Sequence, residues 1–161
     1  MSGHRVGSGY DAHRLVAGRP LVLGGVTVPF ERGLEGHSDG DCLVHSLCDA
    51  LLGAAAAGDL GSHFPSTDPR WSGASSLDFL KAVATEVSKR RLALENADAT
   101  VIAEAPPLAP HLNEMRDVLS EVLGVAREKV SIKAKSNDGM GALGRGEGIA
   151  AQTVVLLRSQ E

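Results

Sequence analysis

The sequence predicts an α+β domain, and three observations carry the prediction. Three stretches keep the apolar spacing of amphipathic helices, four read as strands, and two short apolar runs meet across a pair of glycines. From the N-terminus, Arg5 to His13 alternates as a strand, with Val6, Ser8, Tyr10 and Ala12 on one face. Arg5, Gly7, Gly9, Asp11 and His13 share the other, so Asp11 and His13 point the same way. Leu21-Val22-Leu23 and Val26-Thr27-Val28 flank Gly24-Gly25, a two-residue hairpin loop, and Pro29 ends the pair. Phe30 to Gly36 reads as a loop leading into a helix capped by Ser38 or Asp39 and running to Ala54, with Asp41 in its first turn.

Winding that helix at about 100° per residue places Leu43, Leu47, Ala50, Leu51 and Ala54 on a packing arc. Asp41, Cys42, His45, Ser46 and Asp49 fall on the opposite arc, where they can present ligands. The segments Gly58-Asp59-Leu60-Gly61 and Phe64-Pro65-Ser66-Thr67-Asp68-Pro69 carry too much glycine and proline for regular structure and predict a long functional loop. A second helix runs from Ser75 or Ser76 to about Arg91, with Leu77, Leu80, Ala84 and Val87 inward. Ala99 to Ala103 is a buried strand stopped by Pro106-Pro107, and His111 to Leu123 is a third helix closed by Gly124. Val130 to Ala134 and Ile149 to Leu157 are the last strands, joined by a glycine-rich loop from Lys135 to Gly148.

Composition narrows the functional classes. At 161 residues the chain predicts a single domain spanning 1–161, large enough to fold around an apolar core without disulfide or metal staples. With 43% hydrophobic but only 3% aromatic residues, that core is aliphatic. A net charge of -4 argues against a nucleic-acid partner or a membrane surface, because counterion release needs a basic field. Cys42 and Cys48 would lie about 9 Å apart along their helix, too far for a disulfide, and two free thiols suit a reducing cytoplasm. No secretory signal pattern and no membrane-length apolar run is legible, so the sequence predicts a soluble protein.

The chemistry-bearing residues each have a plain reading beside a functional one. Asp11, His13 and His45 supply one carboxylate and two imidazoles, a set suited to Zn²⁺ with one position open, although D-x-H is common on surfaces and a lone helix histidine is usually not a ligand. Cys42 could add a thiolate there or simply pack as a small hydrophobe, the reading its neighbours favour. His37-Ser38 at a helix mouth is an anion site or an ordinary cap. Lys135, Ser136, Asp138 and Arg145 lie in a loop that could wrap phosphates but lacks the P-loop pattern. Asp59-x-Gly61 could meet ribose hydroxyls, and Pro106-Pro107-Leu108 could expose backbone to a base edge.

Taken together, Gly9-Tyr10-Asp11-Ala12-His13, His37-Ser38-Asp39-Gly40-Asp41 leading to His45, Gly58-Asp59-Leu60-Gly61 with Phe64-Pro65 and Thr67-Asp68-Pro69, and Gly144-Arg145-Gly146-Glu147-Gly148 resemble the 2-C-methyl-D-erythritol 2,4-cyclodiphosphate synthases over nearly the whole chain. The resemblance implies a four-stranded mixed sheet with helices on one face plus a small β-hairpin, in a cytoplasmic homotrimer with active sites at the subunit interfaces. It implies a cytidine diphosphate substrate, 4-diphosphocytidyl-2-C-methyl-D-erythritol 2-phosphate, whose 2-phosphate attacks the β-phosphorus and expels CMP.

Carried over by position, Asp11, His13 and His45 would bind one Zn²⁺ per subunit, and Asp138 a Mg²⁺ or Mn²⁺. His37 and Ser136 would stabilise the transition state, while Asp59, Leu60 and Gly61 would meet the ribose. Ala103, Pro106, Pro107, Leu108 and Ala109 would form the cytosine pocket. Substrate contacts would extend to Ser38, Phe64, Pro65, Ser66, Thr67, Asp68, Lys135, Ala142 and Arg145. Three positions depart from the family pattern. Asp138 replaces a usual Glu and implies a weaker or water-mediated second metal, Lys135 adds a cation, and Ser66 stands where Asp is common. These departures also motivate a rival expectation, a trimeric metal- and nucleotide-binding protein without turnover. A zinc hydrolase is less favoured, because no carboxylate is placed to activate water.

Overall fold

The computed structural model describes residues 3–160. Strand β1 (His4–Ala17) is followed by the hairpin β2 (Leu21–Leu23) and β3 (Val26–Val28), then by β4 (Arg32–Leu34) and helix α1 (Cys42–Ala54). A single turn α2 (Leu60–His63), helix α3 (Ser76–Lys89), strand β5 (Leu92–Ile102), helix α4 (Leu112–Leu123), strand β6 (Val130–Lys135), the turn α5 (Gly141–Gly144) and strand β7 (Gly148–Ser159) complete the order. The main sheet runs β4-β1-β7-β5-β6, antiparallel except for the β5–β6 pair. Helices cover one face of it, and α4 serves as the crossover that a parallel pair requires.

The sheet has five strands rather than four. The extra edge strand, β4, lies inside the segment read as a loop, and its three residues pair with Leu15 to Ala17. Three residues are too few to show a period. β5 is also longer than expected, because Glu95 and Asn96 at a bulge break the apolar alternation before Ala97. The region from Gly58 to Pro69 is not wholly irregular, since Asp59 caps the turn α2 through Ser62 N.

Helix α1 is buried nearly all round rather than on one arc. Cys42 and Ser46, on the arc read as presenting ligands, are as buried as Leu43 and Leu51, because that arc lies against β1 and β7. The glycines of β1 allow this. A Cβ at Gly7 would stand 2.0 Å from the Ala50 carbonyl oxygen, and one at Gly9 would stand 1.9 Å from that of Ser46, so strand and helix meet backbone to backbone. Ser46 Oγ then reaches Thr153 Oγ1 at 2.7 Å.

The cap of α1 is Asp41, not Ser38 or Asp39. Its buried carboxylate accepts from Val44 N at 3.0 Å, and also from Gly24 N at 3.0 Å and Gly25 N at 2.8 Å. Both hairpin glycines have positive φ, as this turn demands, so one side chain ties the hairpin to the helix. Burial pushes the Asp41 carboxyl up to about 6 against the pull of those donors. On the other face of the sheet Val6, Tyr10 and Val154 are exposed. No helix among the described residues is long and apolar enough to cross a membrane.

Candidate active site and metal centre

Asp11 and His13 leave β1 on its helix-facing side, opposite Ala151 and Ile149 of β7, and His45 comes from the first turns of α1. The two glycines that draw β1 onto α1 therefore bring the three side chains together. Asp11 Oδ2 lies 2.8 Å from His13 Nε2 and 3.0 Å from His45 Nδ1, and the two ring nitrogens are 3.3 Å apart. These atoms, one from each residue, fall within 4.8 Å of one another, a cluster that fits a divalent metal ion.

The outer nitrogens are also engaged. His13 Nδ1 is 2.5 Å from the Glu35 carbonyl, which can only accept, so Nδ1 carries a proton and Nε2 is the nitrogen turned toward the cluster. His45 Nε2 is 2.8 Å from Ser76 Oγ and 3.3 Å from Ser38 Oγ.

Charge within the cluster is mutually supportive. Burial opposes ionisation of Asp11, yet the hydrogen bonds and charges of His13 and His45 outweigh it and hold the carboxyl at about 2. The Asp11 hydrogen bond raises His13 above its ordinary value against burial. Cys42 takes no part. It is fully buried, burial pushes its thiol well up, and it packs as a small hydrophobe.

Beside the cluster a cavity of about 190 Å³ is lined by His13, His37, Ser38, His45, Leu60, Gly61, Phe64, Ser66, Trp71 and Phe79. Phe64 stacks on Phe79 at 4.5 Å between ring centroids, and Trp71 meets both edge-on. Three of the chain's five Phe, Trp and Tyr residues thus wall one hollow. His37 is exposed and donates from Nε2 to the Asp68 carbonyl at 3.0 Å. Asp59 caps α2, and Asp68 caps the short turn Pro69–Trp71 and pairs with Arg70. Asp49, whose carboxyl is raised by burial, accepts from Leu60 N at 2.7 Å and so anchors α2.

A second hollow of about 330 Å³ gathers Ala103, Glu104, Pro106, Pro107, Leu108, Ala109, Ala134, Lys135 and Ser136. Ala103 N donates to the Lys135 carbonyl, which extends the parallel pairing one residue past Ile102. Asp138, Ala142 and Arg145 line neither hollow. Asp138 sits at positive φ in the turn after β6 with Ser136 Oγ at 3.2 Å, and Arg145 pairs with Glu147. Pro65 and Thr67 are exposed on the loop between α2 and the Pro69 turn.

Several functional-looking residues escaped the sequence reading. Ser76, the Glu35 carbonyl, Trp71 and Phe79 all border this site, but each does so through a partner distant in sequence, and Asp49, read as able to present a ligand, instead anchors α2. Only the Ser75-Ser76 pair carried a signal, and that signal said helix start.

The profile of the YgbB family matches residues 4–158. A 2-C-methyl-D-erythritol 2,4-cyclodiphosphate synthase of Burkholderia thailandensis is 53% identical over 153 residues, covering 95% of this chain and 94% of the relative. In three dimensions the chain matches the bifunctional IspDF of Campylobacter jejuni with a TM-score of 0.96 at 35% identity, over 100% of this chain but 44% of that longer one. It matches the IspF of Plasmodium falciparum, solved as a CDP complex, with a TM-score of 0.87 at 30% identity, over 99% of this chain and 98% of that one.

Proposed function

The chain belongs to the YgbB family, and on that premise we propose that it converts 4-diphosphocytidyl-2-C-methyl-D-erythritol 2-phosphate to 2-C-methyl-D-erythritol 2,4-cyclodiphosphate with release of CMP. This makes it a phosphorus–oxygen lyase of non-mevalonate isoprenoid synthesis, acting in the cytoplasm as one domain. The convergence of Asp11, His13 and His45 beside a hollow that holds His37, Ser38 and Ser66 is the observation that carries the reading.

The reaction needs little covalent help from protein. An oxygen of the 2-phosphate forms a bond to the β-phosphorus while the bond from that phosphorus to the bridging oxygen breaks, and CMP leaves with the oxygen. Nucleophile and electrophile belong to one molecule, so alignment and charge neutralisation are the main tasks. Asp11 Oδ2, His13 Nε2 and His45 Nδ1 would hold Zn²⁺, which when bound polarises the β-phosphate. His37 and Ser136 would donate to the oxygens that gain charge. Asp138 would hold Mg²⁺ or Mn²⁺, which when bound would offset phosphate charge, with Lys135 and Arg145 adding positive charge.

The two hollows suit the two ends of this substrate. Phe64, Trp71 and Phe79 give the methylerythritol an apolar wall, with Pro65, Ser66, Thr67 and Asp68 along its rim. Ala103, Pro106, Pro107 and Ala109 are short or lack an N–H and Leu108 turns its side chain into the core, so mainly backbone would be left to read cytosine, while Asp59, Leu60 and Gly61 would meet the ribose and Ala142 would border the phosphates. In the sheet Asp11 and Val101 both face Ala151, and Val101 faces Ala134, so triad and cytosine hollow share one level three strand spacings apart, about 14 Å along the sheet. A homotrimer packed through the exposed face of Val6, Tyr10 and Val154 would bring one subunit's cytosine hollow to the next subunit's triad.

Incubating purified protein with this substrate, Zn²⁺ and Mg²⁺ should release CMP and cyclic diphosphate in equal amounts. No CMP at micromolar enzyme refutes the activity, and tight CDP binding without release would point to a binding protein instead.

A further inference from the structure

The first turn of α3 lies against the metal cluster through Ser76, and the chemistry of that contact allows one arrangement. Ser76 is fully buried. Its Oγ lies 2.8 Å from His45 Nε2 on one side and hydrogen-bonds Asp39 Oδ1 on the other. Asp39 is held in turn, taking Ser76 N on Oδ2 at 2.9 Å and Asp41 N on Oδ1 at 3.1 Å. A carboxylate only accepts and a serine hydroxyl has one hydrogen, so that hydrogen goes to Asp39. Ser76 Oγ is then left as an acceptor, and His45 must donate to it from Nε2.

From this we infer that Ser76 and Asp39 are positioning residues for the metal. They hold a proton on His45 Nε2, which leaves Nδ1 as the nitrogen that would ligate beside Asp11 and His13, and they fix the plane of its ring. The inference rests on the metal reading of the triad above. Neither residue touches the cluster's inner atoms, and both double as the N-terminal fastening of α3, so the entry of that helix and the aim of the ligand are set by one pair of side chains. His13 is aimed by a backbone carbonyl, which no side-chain substitution removes. His45 alone depends on side chains, with Ser38 Oγ at 3.3 Å as the weaker alternative acceptor.

The test is Zn²⁺ affinity, measured by competition with a chromophoric chelator, together with the ¹⁵N spectrum of the histidine rings in metal-free protein. Ser76→Ala should weaken Zn²⁺ binding roughly 10- to 100-fold, the range for loss of an outer-shell partner. It should also deplete the proton on His45 Nε2, seen as a shift of that ring-nitrogen signal, while Ser76→Thr restores both. Asp39→Asn frees the Ser76 hydrogen to turn toward His45 and should deplete the Nε2 proton as well, which keeps the test open should Ser76→Ala fail to fold. Zinc affinity within twofold of wild type and an unchanged His45 spectrum in the folded variants overturn the inference. If wild-type protein binds no zinc, the metal reading fails on its own, and the metal-free ¹⁵N spectrum still decides whether the relay holds the proton on His45 Nε2.

Discussion

Gly9→Ala should drive the strand carrying Asp11 and His13 off the helix carrying His45. The added Cβ would start 1.9 Å from the Ser46 carbonyl oxygen, and Cβ atoms essentially never approach closer than 3.0 Å, so strand or helix must shift by about 1.1 Å. The obstacle is helix backbone, with Ala50 N a further 2.8 Å contact, so no side-chain rotation relieves it. Overpacking of this kind costs about 3 kcal/mol, the upper end for core insertions. For a domain of this size that is a fall in Tm of roughly 6–12 °C.

The displacement acts two residues before Asp11 and one residue after His45, and it exceeds the roughly 0.2 Å tolerance of metal–ligand distances several-fold. Zinc affinity should drop by about 100-fold or more, beyond the loss of an outer-shell partner. Chelator competition and thermal unfolding of Gly9→Ala read the two effects. Gly53→Ala provides the contrast, because its Cβ would meet only Ser8 O at 4.0 Å and the helix gains up to about 1 kcal/mol. A Gly9→Ala protein that keeps wild-type Tm and zinc affinity within twofold would refute the claim that backbone contact between β1 and α1 sets the cluster.

Asp41→Ala leaves Gly24 N, Gly25 N and Val44 N without their acceptor and should cost about 3 kcal/mol or more, with Asp41→Asn intermediate. A denaturant midpoint for the alanine variant within 1 kcal/mol of wild type would contradict that accounting. His13 must lose its proton to ligate, and Asp11 raises its value, so zinc affinity should weaken up to tenfold per unit as pH falls through that raised value. In metal-free protein the same shift works the other way. A raised histidine gives stability that is complete below its unfolded value of 6.5 and is lost as pH rises through the folded one, so Tm should fall toward pH 8. Scanning from pH 6.5 upward separates this from the Asp41 carboxyl at about 6, and a flat profile in both states counts against the Asp11–His13 pairing. Asp49→Ala releases Leu60 N and loosens the turn that carries Asp59 and Gly61, so KM for the cytidine substrate should rise several-fold more than kcat falls. Equal changes in both would remove that role.

Local order was legible from residues alone. The shared face of Asp11 and His13, the hairpin at Gly24-Gly25, α3, and α4 with its left-handed Gly124 all follow from period, turn chemistry and caps that span fewer than a dozen residues. The motif order also identified the family, because many weak signals in one sequence multiply. What the chain could not display is anything set by partners far along it. That Asp41 caps α1 while Asp39 fastens α3 depends on a hairpin 16 residues earlier and a helix 37 residues later. Burial of the arc read as presenting ligands depends on Gly7 and Gly9, 43 and 37 residues before the Ala50 and Ser46 carbonyls they meet, which let β1 lie flush on α1. Whether two imidazoles and a carboxylate meet is decided by that packing distance, to within about an ångström, and tertiary structure alone sets it.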